Sequence, residues 1–251
     1  MSDILEVMGR LGTNAQPFCL VQVVDSRGPV PRAAGAMMVV TTDGIVSGSI
    51  GGGSLEARME KEALASLNDG KSRFLNLDLD RLKMNCGGHV KVLIQPIGVQ
   101  QRLVIFGAGH VGMAVARLFA WQGFAVTMIE PRESDEELPR GVTIIRDADD
   151  NKMKELIDPQ TFVVIATSSH TTDQKVLQRV LPLKPRYLGL LSSPAKWKGI
   201  MQALQTKGFD DKDLQKVHAP VGLWIHAETP GEIAISIAAE IISEFRRSGD
   251  E

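Results

Sequence analysis

The chain has 251 residues, 43% apolar and 23% charged, with a formal net charge of −2 at pH 7. That length suits one large or two modest domains with ample core, and the near-neutral balance leaves no electrostatic footprint for nucleic acid. No apolar run approaches membrane-spanning length, the start lacks a targeting signature, and two cysteines are too few for a disulfide framework or structural zinc site, so a reducing cytoplasm is expected.

Ser2 or Asp3 can cap a first helix with Ile4, Leu5, Met8 and Leu11 on one face. Phe18–Val24 reads as a buried strand containing Cys19, and Asp25–Arg32 as a loop by its glycine and proline content. Ala36–Thr41 and a strand starting at Ile45 form a hairpin about Thr42-Asp43-Gly44. Gly48-Ser49-Ile50-Gly51-Gly52-Gly53-Ser54-Leu55-Glu56 then runs into a helix with Leu55, Met59, Ala63, Leu64 and Leu67 on one face, ending near Gly70. This loop is either an anion cradle, with Ser54 as N-cap and Glu56 in the first turn, or only a tight strand-to-helix turn. Phe74–Asp80 and Val90–Gln95 read as strands completing an α+β domain over residues 1–98. Pro96–Gln101 is a linker short enough to keep two domains close.

From Arg102 strands and helices alternate. Leu103–Phe106 is a short buried strand, and Gly107, Gly109 and Gly112 supply a G-x-G-x-x-G turn. A helix follows, with Val111, Ala114, Val115, Leu118 and Phe119 on one face. A second strand, Phe124–Ile129, ends in Glu130, about 20 residues on, where a ribose-binding carboxylate is expected. Gly107 permits the tight turn, Gly109 lets a phosphate approach the backbone, and Gly112 lets helix and strand pack closely. The orphan amides and dipole of the helix start favour an anion. Gly141–Ile145, Thr161–Ala166, Tyr187–Leu191 and Gly222–Ile225 read as strands three to six. A short helix over Asn151–Ile157 follows the third, and one with Val176, Leu177, Val180 and Leu181, stopped by Pro182, follows the fourth. Ser193 caps the next, with Pro194 at its first position and Trp197, Ile200, Met201 and Leu204 buried. Thr229-Pro230-Gly231-Glu232 is a capping box leading a helix with Ile233, Ile237, Ile241 and Phe245. The fold class is α/β: a Rossmann-like parallel sheet with helices on both faces over residues 102–251, plus the smaller N-terminal domain.

Cys86 lies between Asn85 and Gly87-Gly88, outside any apolar run. Amides freed by those glycines can stabilise its thiolate, and His89 can serve as proton partner; otherwise it is a small buried residue at a strand start. Cys19, inside an apolar strand, is core. His110 in the glycine turn, His170, Ser192–Ser193 and Glu228–Thr229 face the crevice beyond the strand carboxyl ends by topology. Tyr187, the single tyrosine, has Leu191 and not lysine four residues on, which closes the short-chain dehydrogenase route to hydride transfer.

Taken in order, several of these motifs resemble the XdhC/CoxI family, accessory proteins of xanthine-dehydrogenase-type molybdenum hydroxylases. They are Asp25-Ser26-Arg27-Gly28-Pro29-Val30-Pro31-Arg32 with Gly35-Ala36-Met37, Gly48–Gly53 with Leu55-Glu56, Cys86-Gly87-Gly88, the turn from Gly107 to Gly112, and Thr229–Ala234 with Ser236-Ile237. The resemblance implies a small N-terminal domain and a C-terminal Rossmann domain, often as a homodimer. It implies binding and protection of the molybdenum cofactor, help with its sulfuration beside a cysteine desulfurase, and delivery to an apo-hydroxylase. It makes Cys86 the residue associated with the cofactor and a candidate transient molybdenum ligand, a soft thiolate suiting that metal. Gly51, Gly52, Gly53, Gly87, Gly88, Gly107, Gly109, His110, Gly112 and Glu130 are the expected binding residues, with both glycine loops and Cys86 lining one cleft. Molybdopterin carries a phosphate or nucleotide pyrophosphate suited to a glycine-rich helix start. Glu130 instead favours a ribose hydroxyl, so NAD(P) or another adenine nucleotide stays open as ligand of the turn. The alternatives to a cofactor chaperone are an NAD(P)-linked oxidoreductase and a nucleotide-sensing regulatory protein.

Overall fold

The computed structural model describes residues 2–80, 87–133 and 137–247, and the backbone divides into two units, Met1–Gln100 and Gln101–Glu251. The first contains helix α1 (Ser2–Thr13), strands β1 (Phe18–Arg27), β2 (Met37–Thr41) and β3 (Gly44–Gly48), helix α2 (Gly53–Asp69), and strands β4 (Arg73–Asp78) and β5 (His89–Ile97). The strands form one antiparallel sheet in the order β3-β2-β1-β5-β4. Side chains alternate across it. Cys19, Val21, Val23, Met38 and Val40 pack against Leu55, Met59 and Ala63 of α2. On the opposite face Phe18 and Val39 meet Ile4, Val7 and Leu11 of α1.

Three local expectations need correction. Leu5 and Leu64 face outward, because each helix buries only a narrow stripe against the sheet. Strand β1 continues to Arg27 and β5 through Pro96 to Ile97, so part of the expected loop and linker belongs to the sheet. Proline is tolerated there because β4 stops pairing at Ile94. The N-cap of α2 is Gly52, not Ser54.

The second unit contains β6 (Arg102–Phe106), α3 (His110–Trp121), β7 (Ala125–Ile129), β8 (Val142–Ile145), α4 (Asp150–Leu156), β9 (Phe162–Ile165), α5 (His170–Val180), β10 (Tyr187–Leu190), α6 (Pro194–Thr206), α7 (Asp211–Leu214), β11 (Val217–His218) and α8 (Pro230–Arg247). All six strands are parallel, in the order β11-β10-β9-β6-β7-β8. That is the Rossmann arrangement, with its switch point between β6 and β9. Leu103, Ile105, Val126, Met128 and Phe162 pack beneath α3 and α8, through Met113, Phe119, Ile237 and Ile241. Val104, Phe106, Val163, Ile165 and Leu190 pack beneath α4, α5 and α6, through Met153, Leu177 and Leu204. Strands buried on both faces read as continuous apolar runs, which is why the sequence exposes them so clearly.

The sixth strand is the exception. Gly222–Ile225, expected as that strand, is irregular, and Trp224 is 86% exposed. The edge position belongs to the two residues of β11, paired with Leu188 and Gly189. A two-residue strand has no period to detect, whereas an apolar run mimics one.

Candidate functional site

Each helix start has four orphan amides, and what satisfies them decides whether an anion can enter. In the N-terminal glycine loop the chain supplies its own anion. Glu56 Oε1 accepts the Ser49 hydroxyl at 2.6 Å and the amides of Ile50 and Gly52 at 3.1 and 2.9 Å. These bonds pull its carboxyl below the usual carboxylate range against the opposing effect of burial. Asp149, Ser169, Ser193 and Asp210 cap α4, α5, α6 and α7 with their side chains. At α8 the expected box is present: Glu232 Oε2 accepts the amides of Glu228 and Thr229 at 2.8 and 2.9 Å, and the Thr229 hydroxyl accepts that of Glu232 at 3.3 Å.

Helix α3 differs. Its N-cap, Gly109, makes no side-chain capping bond, and its first turn holds no acid. Among the described α-helices it is the one with neither.

The three glycines of this turn have separate reasons. Gly107 has φ +104°, and a Cβ there would lie 2.3 Å from the Ala166 carbonyl oxygen. A Cβ on Gly112 would lie 2.2 Å from the Gly107 carbonyl oxygen. One on Gly109 meets nothing within 4 Å, so that position is open to a ligand. His110, the first helical residue, is exposed beside it.

Glu130 sits at the end of β7 and is 5% exposed. Its Oε2 accepts the Ala108 amide at 3.0 Å, clamping the glycine turn. Arg132 grips both oxygens, with Nε 2.8 Å from Oε1 and a terminal nitrogen 2.9 Å from Oε2. Chiefly because of Arg132, the carboxyl is lowered to about 2. Arg146 donates in turn to the carbonyls of Glu130 and Arg132. A cavity of about 400 Å³ opens here, at the switch point, lined among others by Gly107, Glu130, Arg132, Arg146, Lys175 and Arg179. Four cations and two acids, Glu130 and Asp147, line its wall. Arg132 is held by Glu130, Arg146 by backbone carbonyls, and Arg179 by Asp150 and the Ala148 carbonyl, and the cationic excess suits a phosphate.

A second cavity, of about 540 Å³, lies at the carboxyl ends of β9 and β10, and both are lined by Thr167 and Ser168. His170, Asp173, Ser192, Ser193 and Lys196 also line it. Periodicity could not single out Asp173. It falls on the buried face of α5, and only the fold turns that face toward a cavity.

In the N-terminal unit, three stretches picked from the sequence meet. A Cβ on Gly51 would lie 2.7 Å from Pro31 Cγ, and one on Gly88 would lie 2.4 Å from the Pro29 carbonyl oxygen. A Cβ on Gly87 would lie 2.7 Å from Asp80 Oδ1. The loop from Arg27 to Pro31 therefore runs against both glycine stretches. Cys86 itself lies outside the described residues. His89 opens β5, with Nε2 3.7 Å from Asp78 Oδ2. Cys19 is fully buried, its thiol donates to the Ala63 carbonyl at 3.3 Å, and burial pushes it up to about 12. No cluster of three or more metal-ligating side chains occurs among the described residues, nor is any described helix long and apolar enough to cross a membrane.

Two family models match the chain: the XdhC Rossmann domain over residues 103–241 and the XdhC and CoxI family over residues 13–78. The uncharacterized protein YqeB of Escherichia coli is 38% identical over 90% of this chain and 43% of its own length. A probable xanthine dehydrogenase subunit of Bacillus subtilis is 30% identical over 62% of this chain and 46% of its own. The chain thus spans less than half the length of these two relatives. The molybdenum cofactor insertion chaperone PaoD of Escherichia coli is 24% identical, over 89% of this chain and 82% of its own. Among solved structures, a xanthine dehydrogenase from Bacillus halodurans aligns with TM-score 0.52 and 25% identity, over 98% of this chain and 96% of that one.

Proposed function

We propose, from the premise that this chain belongs to the XdhC and CoxI family, that it is an accessory protein which binds molybdenum cofactor and hands it to a xanthine-dehydrogenase-type hydroxylase. The observation that carries this reading is the start of α3, whose N-cap Gly109 makes no side-chain bond and whose first helical turn holds no acid, next to a cavity that Gly107 and Glu130 line with Arg132, Arg146, Lys175 and Arg179. Such a place receives the phosphate of a molybdopterin cargo. One relative is named as a molybdenum cofactor insertion chaperone and another as a probable xanthine dehydrogenase subunit, and the two names support the cargo and the client of this reading.

In this reading Gly109, His110 and Gly112 present backbone amides to the phosphate, Gly107 permits the turn while its own amide donates to the Ile129 carbonyl at 3.0 Å, and Glu130 holds the turn in shape through Ala108. Gly51, Gly52 and Gly53 shape the loop that Glu56 fills, and Gly87 and Gly88 set the backbone against Pro29 and Asp80. Cys86, next in sequence to Gly87, is the thiol assigned to the cargo and a transient molybdenum ligand. The chain works in the cytoplasm as a homodimer, with a cysteine desulfurase supplying sulfur and the apo-hydroxylase receiving the product. No hydride-transfer residue is assigned; the protein carries its cargo and does not oxidise it.

An adenine nucleotide, NAD(P) included, is the second reading, favoured by a cavity that touches Glu130 at the end of β7. A ribose hydroxyl would have to displace Arg132 from that carboxylate.

The test is to identify what copurifies with the protein from molybdate-fed cells, by mass and by fluorescence of the oxidised pterin, in wild type and in Gly109→Asp. The aspartate would cap α3, fill its amides with its own carboxylate and leave the fold intact. A pterin present in wild type and lost in Gly109→Asp is expected. A nucleotide in its place would overturn the cargo reading in favour of the second.

A further inference from the structure

The cavity over β9 and β10 contains a buried carboxylate that the phosphate reading leaves without work. Asp173 is 4% exposed and lines it. Its Oδ1 accepts the Thr167 hydroxyl at 2.5 Å, while the nearest charged partner of Oδ2 among the described residues is His170 Nδ1, 4.0 Å away. That distance is too long for a hydrogen bond. Lys196 lies on the same wall and is close enough to act on the Asp173 charge. Thus one buried acceptor pair stands beside one cationic donor, in a cavity that shares Thr167 and Ser168 with the cation-lined one.

Burial raises the carboxyl of Asp173, opposed by hydrogen bonds from the hydroxyl and the backbone amide of Thr167 and by the charges of His170 and Lys196. Both of those hydrogen bonds come from one residue, Thr167, and a carboxylate has acceptor capacity for further donors. Ser192 on the same wall has its hydroxyl oxygen enclosed with no hydrogen-bond partner among the described residues. Both observations point to a ligand with donors and acceptors set side by side.

We infer that this second cavity holds the amino-pyrimidinone edge of the pterin, with Asp173 accepting its ring N–H and 2-amino group and Lys196 donating to its 4-carbonyl oxygen. A carboxylate and that edge form two parallel N–H···O bonds, the pairing that makes guanidinium–carboxylate contacts specific. The inference rests on the cargo proposed above and assigns its two ends to separate places: the phosphate to α3, the pterin ring to the turn between β9 and α5. It predicts a site selective for the heterocycle without metal, dithiolene or phosphate.

The probes are therefore 6-hydroxymethylpterin and the corresponding lumazine, which carries a carbonyl in place of the 2-amino group. Binding is read by fluorescence quenching on the full chain. Wild type should bind the pterin at least tenfold more tightly than the lumazine, because a 2-carbonyl faces Asp173 with an acceptor. Asp173→Asn keeps the acceptor for Thr167 and should weaken pterin binding at least tenfold while narrowing or reversing the preference. Lys196→Met, an exposed position on α6, should weaken both several-fold with no loss of fold. Equal affinity of wild type for the two heterocycles would overturn the inference whether or not Asp173→Asn folds. So would a folded Asp173→Asn that binds pterin as wild type does. Copurified cofactor that is lost in Gly109→Asp, together with an unselective second cavity, would sink this inference and leave the cargo reading standing. Absence of any pterin from both experiments would sink both.

Discussion

Arg132 clasps Glu130 through two donors, at 2.8 and 2.9 Å, and the same carboxylate holds the Ala108 amide at 3.0 Å. An exposed cation and a buried anion together fasten the end of β7 to the glycine turn. The carboxylate expected to read a ribose is thereby a structural clamp on the turn that starts α3.

The clamp makes stability depend on acid. Glu130 is lowered to about 2 when folded, so its contribution is complete above the unfolded carboxyl range. It is lost as pH falls from about 5 toward 2. Denaturant titrations at successive pH values should show Glu130→Gln less stable than wild type by on the order of 2 kcal/mol at pH 7, with the gap closing toward pH 2. A gap independent of pH would remove the electrostatic account.

The two outer glycines of the α3 turn differ from the middle one in what they tolerate. Gly112→Ala places a methyl against the Gly107 carbonyl and should cost about 1–3 kcal/mol. Gly109→Ala meets open space and should melt within a degree or two of wild type, since substitutions away from strained or packed positions stay within about 0.5 kcal/mol. Thermal melts of the two variants, side by side, check this.

Glu56→Gln tests the N-terminal loop. Its charge satisfies Ser49, Ile50 and Gly52, and removing it should destabilise the first unit by about 1–2 kcal/mol. Cofactor content should not rise. A variant that gained phosphate affinity would show that Glu56 screens a second anion site.

The two cysteines should separate cleanly in reactivity. Cys19, buried and pushed up to about 12, should resist alkylation at pH 8 until the protein unfolds. In the proposed role, Cys86→Ala keeps the fold, loses most bound molybdopterin and most activation of the client hydroxylase. Unchanged cofactor stoichiometry in Cys86→Ala would remove that residue from the cargo site.

The proposed phosphate site is largely legible in the sequence. Gly107, Gly109, Gly112 and Glu130 announce themselves because each reports a local backbone demand: a positive φ, an open approach, a close packing, a strand end. The second cavity is not legible there. Asp173 reads as one polar residue in a helix, and Lys196, on the same cavity wall, belongs to the next helix, across a strand. Nothing in local spacing connects them. The misplaced sixth strand has the same origin in reverse. Leu223, Trp224 and Ile225 look buried by composition, yet β10 already pairs with Val217 and His218.

The sequence by itself determined the parallel sheet, its helices and the glycine turn, because hydrophobic period, capping chemistry and glycine geometry act within a few residues of one another. Only the tertiary structure decided which amides stay open to an anion and which are already answered by Glu56, Glu130 or Glu232. A hydrogen bond depends on where a carboxylate arrives in space, and the position of that carboxylate along the chain does not fix its arrival.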